Sequence, residues 1–173
     1  MTDLSQFRQR AISSSITKSQ WDVAKELRCA ADQVFIGTIE DSQSLPIADG
    51  TFLFTEYAVM VTEAIAPAPG EGGRAGSRLT VLRPGGSIRV EETAITAFIS
   101  DVPRLETGAS YLFFENGVPA TGATRSAHAD GTFAVSNDSV RSLTSVQTLG
   151  GDLATGTRKD LSLNAVRAVG PCK

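Results

Sequence analysis

The chain has 173 residues, 41% apolar and 20% charged, with a net charge of -3. That is globular composition of about one domain's length, and no run of about 18 apolar residues offers a membrane-spanning helix. The densest basic pair is Arg158-Lys159, so nothing resembles the clustered Lys and Arg that a phosphate backbone needs, and no nucleic acid is expected.

Residues 1–16 are polar and Ser-rich, so 1–17 reads as a flexible lead-in and 18–173 as a single domain. The opening MTDLSQFRQR lacks the apolar stretch of a signal peptide. The chain is therefore either cytoplasmic or a mature exported protein whose signal has given way to an added Met1. In SITKSQWDVAKELRCAAD, Ser19 and Asp22 resemble a capping box. Trp21, Ala24, Leu27 and Ala31 then recur on one helical face. This predicts a helix over 19–30 with its apolar stripe turned to the core.

From there the pattern is strand-like. VFIGTIE (34–40) carries Gly37 inside it, a sign of a bulge or a close backbone approach. In TFLFTEYAVMVTEAI (51–65), Phe52 and Phe54 alternate in one phase and Tyr57, Val59 and Val61 in the other. That slip predicts a β-bulge near Thr55-Glu56. APAPGEGGRAGS (66–77) is a loop; it lacks the Lys-Ser/Thr ending of a phosphate cradle. Further strands are predicted at 78–83, 86–99, 109–115, 120–125 and 131–136. Their turn signals are Pro84-Gly85-Gly86, Glu106-Thr107-Gly108, Asn116-Gly117 and Asp130-Gly131. Asp160 is placed to cap a short helix through LSLNAVRAV, stopped by Gly170-Pro171. The sum is a mainly-β barrel with a helix at each end, the C-terminal one plugging or flanking it.

The residues argue against catalysis. An activated serine needs a base, and the one histidine, His128, sits beside a turn. Glu91 and Glu92, adjacent in a strand, would face opposite ways. One His and two distant Cys make no zinc site and no CxxC pair exists, so neither metal nor cofactor is called for. Asn137-Asp138-Ser139 matches a glycosylation tripeptide of a kind common by chance. Cys29 and Cys172 are either two unrelated thiols or one disulfide tying the tail to the first helix. A cysteine one residue from the C-terminus is poorly placed for a core, which leans towards the bridge.

What remains is binding by surface shape. In TVLRPGGSIRV (80–90), Arg83 and Arg89 flank Pro84-Gly85-Gly86. Glycines let a partner's backbone come close, and arginine is favoured at interfaces. The same residues also read as a plain turn with arginines solvating two strand ends.

The order AADQVFIGTIEDS, VTEAIAP, LTVLRPGG, VPRLETGASYLFFE, ADGTFAVSN resembles a group of uncharacterised bacterial exported proteins. These carry an OB-like barrel related in shape to tissue inhibitors of metalloproteinases and other netrin-like modules. The resemblance covers residues 18–140. It implies a small OB-like, Greek-key barrel, an extracytoplasmic setting (periplasmic or secreted), and hence a Cys29–Cys172 disulfide. Such inhibitors chelate zinc with an N-terminal cysteine and are rich in disulfides; Cys29 lies inside the chain behind a helix, which speaks against that mechanism. The expectation is a non-catalytic, extracytoplasmic interaction module whose partner is another protein, bound around Arg83, Pro84, Gly85, Gly86 and Arg89. An OB-type nucleic-acid- or ligand-binding barrel, a protease-inhibitor-like module and an enzyme with two converging carboxylates are the alternatives.

Overall fold

A computed structural model describes residues 20–66, 73–99, 102–118, 121–126, 131–143, 160–170 and 172. The predicted lead-in, Ser19, the side chains of Trp21 and Asp22, the loop stretch 67–72, His128, Asp130 and Pro171 lie outside the described residues.

Helix α1 (Gln20–Ala30) begins within one residue of its predicted start. Ten strands follow among the described residues: β1 (Gln33–Pro46), β2 (Leu53–Ala66), β3 (Arg78–Pro84), β4 (Gly86–Val90), β5 (Thr93–Ala97), β6 (Ser110–Gly117), β7 (Thr124–Ser126), β8 (Thr132–Ser136), β9 (Ser139–Ser142) and β10 (Asp160–Ser162). Helix α2 (Leu163–Ala168) ends the described fold. Strands β1-β2-β3-β7-β6 form a ring closed by β6 against β1, and β8, β9 and β10 continue the sheet outward from β6. Three consecutive antiparallel strands followed by a fourth, β6, that returns beside the first make a Greek key. The β3–β7 pair is parallel and closes the small OB-like barrel.

Two apolar layers explain why SYLFFE is one unbroken run. Tyr111 and Phe113 point into the barrel with Phe35, Ile39, Tyr57, Val59, Val61 and Val81. Leu112 and Phe114 point outward, where Val34, Ile36, Phe133 and Val140 meet Ala24, Leu27 and Ala31 near α1 and Leu163 and Val166 of α2. Strands buried on both faces lose alternation. The helices thus flank the barrel wall rather than plug it, and Arg167 clamps α2 to β2 through two 2.7 Å bonds to Glu63. Cys29 is disulfide-bonded to Cys172 with their Cα atoms 5.4 Å apart, tying the chain's end to α1.

Several expectations need correction. There is no bulge at Thr55-Glu56: β2 alternates in one phase from Leu53 to Val61, with Phe52 and Phe54 stacked edge-to-face outside that inward set. The irregularities fall between β1 and β2 instead, where Glu40, Thr62 and Ile65 drop out of register. Beside them a Cβ on Gly37 would collide with Val59, the close approach that its place in a strand suggested. The run 86–99 is not one strand. It folds back at Glu91-Glu92, with Glu91 at φ 53°, as the β4–β5 hairpin, so these two acids sit at a tip. Asn116 and Gly117 are not a turn but the last residues of β6. Asp160 lies in β10, and Ser162 is the N-cap of α2. The tripeptide Asn137-Asp138-Ser139 spans the tight β8–β9 turn, with Asn137 at φ 53°.

Candidate binding cleft

Strand β3 pairs with β2 and β7, whereas β4 pairs with β5. Pro84-Gly85-Gly86 is therefore neither a hairpin turn nor an exposed loop. It is the corner at which the chain leaves the barrel to start a separate hairpin. Gly85 and Gly86 are buried there. Gly85 donates its N–H to the Leu53 carbonyl (2.8 Å) and accepts from Thr55 Oγ1 (2.8 Å). Thr55 Oγ1 shares a 3.0 Å hydrogen bond with Ser44 Oγ, which also receives the Ser87 N–H at 3.1 Å. Gly85 has φ 93°, a left-handed conformation suited to glycine. A Cβ on Gly86 would stand 2.5 Å from Ser44 Oγ and 2.8 Å from Thr55 Oγ1.

A cleft of about 90 Å³ opens beside this corner. It is lined by Arg83, Pro84, Gly85 and Gly86, by Ala97, Phe98 and Ile99, by Val102, Pro103 and Arg104, and by Thr55 and Tyr57. The loop carrying Val102 to Gly108 is pinned to the barrel. Leu105 N–H donates to the Tyr57 hydroxyl (3.2 Å) and Glu106 N–H to the Tyr111 hydroxyl (2.9 Å).

Arg83 does not solvate a strand end. It is 6% exposed, because β3 turns Val81 and Arg83 inward together. Its Nη1 donates to Thr132 Oγ1 at 2.6 Å and its Nη2 reaches the Pro103 carbonyl at 3.5 Å. Nε has no partner. Desolvation lowers its pKa, opposed by nearby Glu115, Tyr57 and Tyr111. Glu115 is fully buried, with no hydrogen-bond partner on either oxygen. Burial pushes its carboxyl up to about 8, against the pull of Arg83 and, more weakly, of the Thr124 hydroxyl, which lies near without completing a bond. Gln33, the cross-strand neighbour of Glu115, is buried with an unpartnered Oε1. The barrel thus holds a polar cluster that its apolar lining does not satisfy.

Of the five residues singled out in the sequence, four line the cleft. Arg89 does not; it stands exposed on β4 opposite Ala94. The cleft also contains residues that the strand pattern hid. Phe98 lies in the apolar run AITAFI, within the strand predicted over 86–99, yet it follows the last residue of β5 and is 81% exposed. Glu91-Glu92 in mid-run was the available hint of a turn. Arg104 carried no signal.

The hairpin is amphipathic. Cross-strand partners share a face, so Ile88 and Val90 lie on one side with Ile95 and Ala97. Ser87, Arg89, Ala94 and Thr96 take the other, where Ser87 and Thr96 hydroxyls bond at 2.8 Å. The apolar side is uncovered: Val90 is 49% and Ile95 46% exposed. It runs through Ala97 into the cleft.

Among the described residues no three His, Cys, Asp or Glu side chains converge as metal ligands, and no helix is long and apolar enough to cross a membrane. No protein-family model matches the chain, and no curated protein is significantly similar to it in sequence.

Proposed function

We propose that this protein is a non-catalytic, extracytoplasmic interaction module that captures another protein with the apolar face of its β4–β5 hairpin and the adjoining cleft. One observation carries the reading. An amphipathic hairpin leaves a closed barrel with Val90 and Ile95 exposed on its apolar face and Phe98 exposed just beyond its last strand. Scattered apolar residues are ordinary on a surface; a contiguous face that leads into a cleft marks an interaction site. The hairpin corner is rigidly hydrogen-bonded, which keeps the ordering cost of binding low. The Cys29–Cys172 disulfide fits an oxidising compartment. With the proposed resemblance to uncharacterised bacterial exported proteins, it favours the periplasm or the exterior.

The test is photo-crosslinking in the source cells, with benzoylphenylalanine in place of Ile95, Phe98 or, as a control, Ser136. Crosslinks from positions 95 and 98 to the same protein, in an extracytoplasmic fraction and absent from position 136, are the expected result. Equal labelling from all three, or none from 95 and 98, would reject the hairpin as the docking face.

A further inference from the structure

Among the described residues that line the cleft, the two charged ones are both guanidiniums, Arg83 at its inner side and Arg104 exposed. Arg83 meets only neutral acceptors, a hydroxyl and a carbonyl. A buried guanidinium without a carboxylate is costly and is the side chain best shaped to receive one. The Glu115 carboxyl inside the barrel makes no hydrogen bond to it, burial pushes that carboxyl's pKa up, and Arg83 Nε has no partner.

Around the guanidiniums the wall is apolar: Ala97, Phe98, Ile99 and Val102. The space is small, about 90 Å³, and suits a carboxylate with the first carbons attached to it.

We infer that the cleft receives a carboxylate presented by an apolar segment of the partner protein, with Arg83 and Arg104 as its anion-binding side chains and Phe98 covering the carbons next to it. This rests on the hairpin being the docking face and adds the chemistry of what docks.

Three capped peptides test it against the full-length, disulfide-bonded protein: acetyl-Ala-Val-Phe as the free acid, the same peptide as its amide, and acetyl-Ala-Glu-Phe-amide. Binding is read from amide and guanidinium chemical shifts. At least one acidic peptide should bind five-fold or more tightly than the neutral amide, with shifts centred on Gly85, Gly86, Phe98 and Arg104. The advantage should fall at least three-fold in Arg104→Gln, which alters an exposed side chain and leaves the buried Arg83 in place. Preference for the free acid identifies a chain terminus, and preference for the Glu peptide a side chain. Equal binding of all three, no binding, shifts centred elsewhere, or an advantage untouched by Arg104→Gln would overturn the carboxylate. Crosslinking from Ile95 and Phe98 would then still stand or fall by itself.

Discussion

The Arg83 guanidinium donates to the Thr132 hydroxyl across 2.6 Å, joining β3 to β8 through the inside of the fold although the two strands do not pair. An arginine that seemed placed for solvent is a structural link that also lines the cleft. Arg83→Ala would remove that bond and leave a cavity, costing about 2–4 kcal/mol. Thr132→Val would leave the guanidinium short of an acceptor at about 1–3 kcal/mol. Exposed Arg89→Ala should stay within about 0.5 kcal/mol. Urea unfolding of the three variants checks the order; an Arg83→Ala protein as stable as Arg89→Ala would contradict the buried role.

Gly86 has no room for a side chain, with Ser44 and Thr55 hydroxyls already at the Cβ position. Gly86→Ala should destabilise by about 1–3 kcal/mol through overpacking and loosen the hairpin. Gly117, with nothing within 4 Å of its Cβ position, should accept alanine neutrally or gain up to about 1 kcal/mol. Thermal melts of the pair, with amide exchange across β4 and β5, distinguish a corner defect from a general one.

Glu115 makes stability depend on pH. The folded carboxyl keeps its proton up to about pH 8, whereas the unfolded one releases it near 4.5. Between those values the unfolded chain holds fewer protons, so stability falls as pH rises and levels off above pH 8. The slope is at most about 1.4 kcal/mol per pH unit. Glu115→Gln keeps the shape and cannot ionise. The difference between wild type and variant, measured by urea unfolding at pH 5, 6.5 and 8, should grow in favour of the variant as pH rises. A constant difference would mean that Glu115 is ionised throughout.

The disulfide joins residues 143 positions apart. Replacing both cysteines with serine should cost about 2–5 kcal/mol, chiefly by freeing the unfolded chain. Intact mass with and without reductant and alkylation reads the bond directly. Two free thiols in protein prepared under oxidising conditions would remove the support for an extracytoplasmic setting.

Much of the scaffold could be read from local pattern. Ala24 and Leu27 recur at helical spacing and are buried where that spacing puts them. The runs at 34–40, 78–83 and 109–115 are strands because β-branched and aromatic residues cluster between turn signals. The sequence left the two cysteines open between free thiols and a bridge, with a lean to the bridge from the place of Cys172, and the fold joins them. What pattern does not report is what covers a face. Phe52 and Phe54 are as apolar as Tyr57 and Val59, so two surfaces of one strand looked like a slip in phase. Phe98 gave no sign of its exposure, which depends on the hairpin leaving the barrel at Gly85. Arg83 looked solvated because its burial depends on β8, 49 residues later, coming to lie beside it. The cleft joins that corner to the loop at 102–104. Its cationic lining exists only once barrel closure has buried Arg83 beside the loop that carries Arg104, which is a property of chain segments meeting in space and of no stretch taken alone.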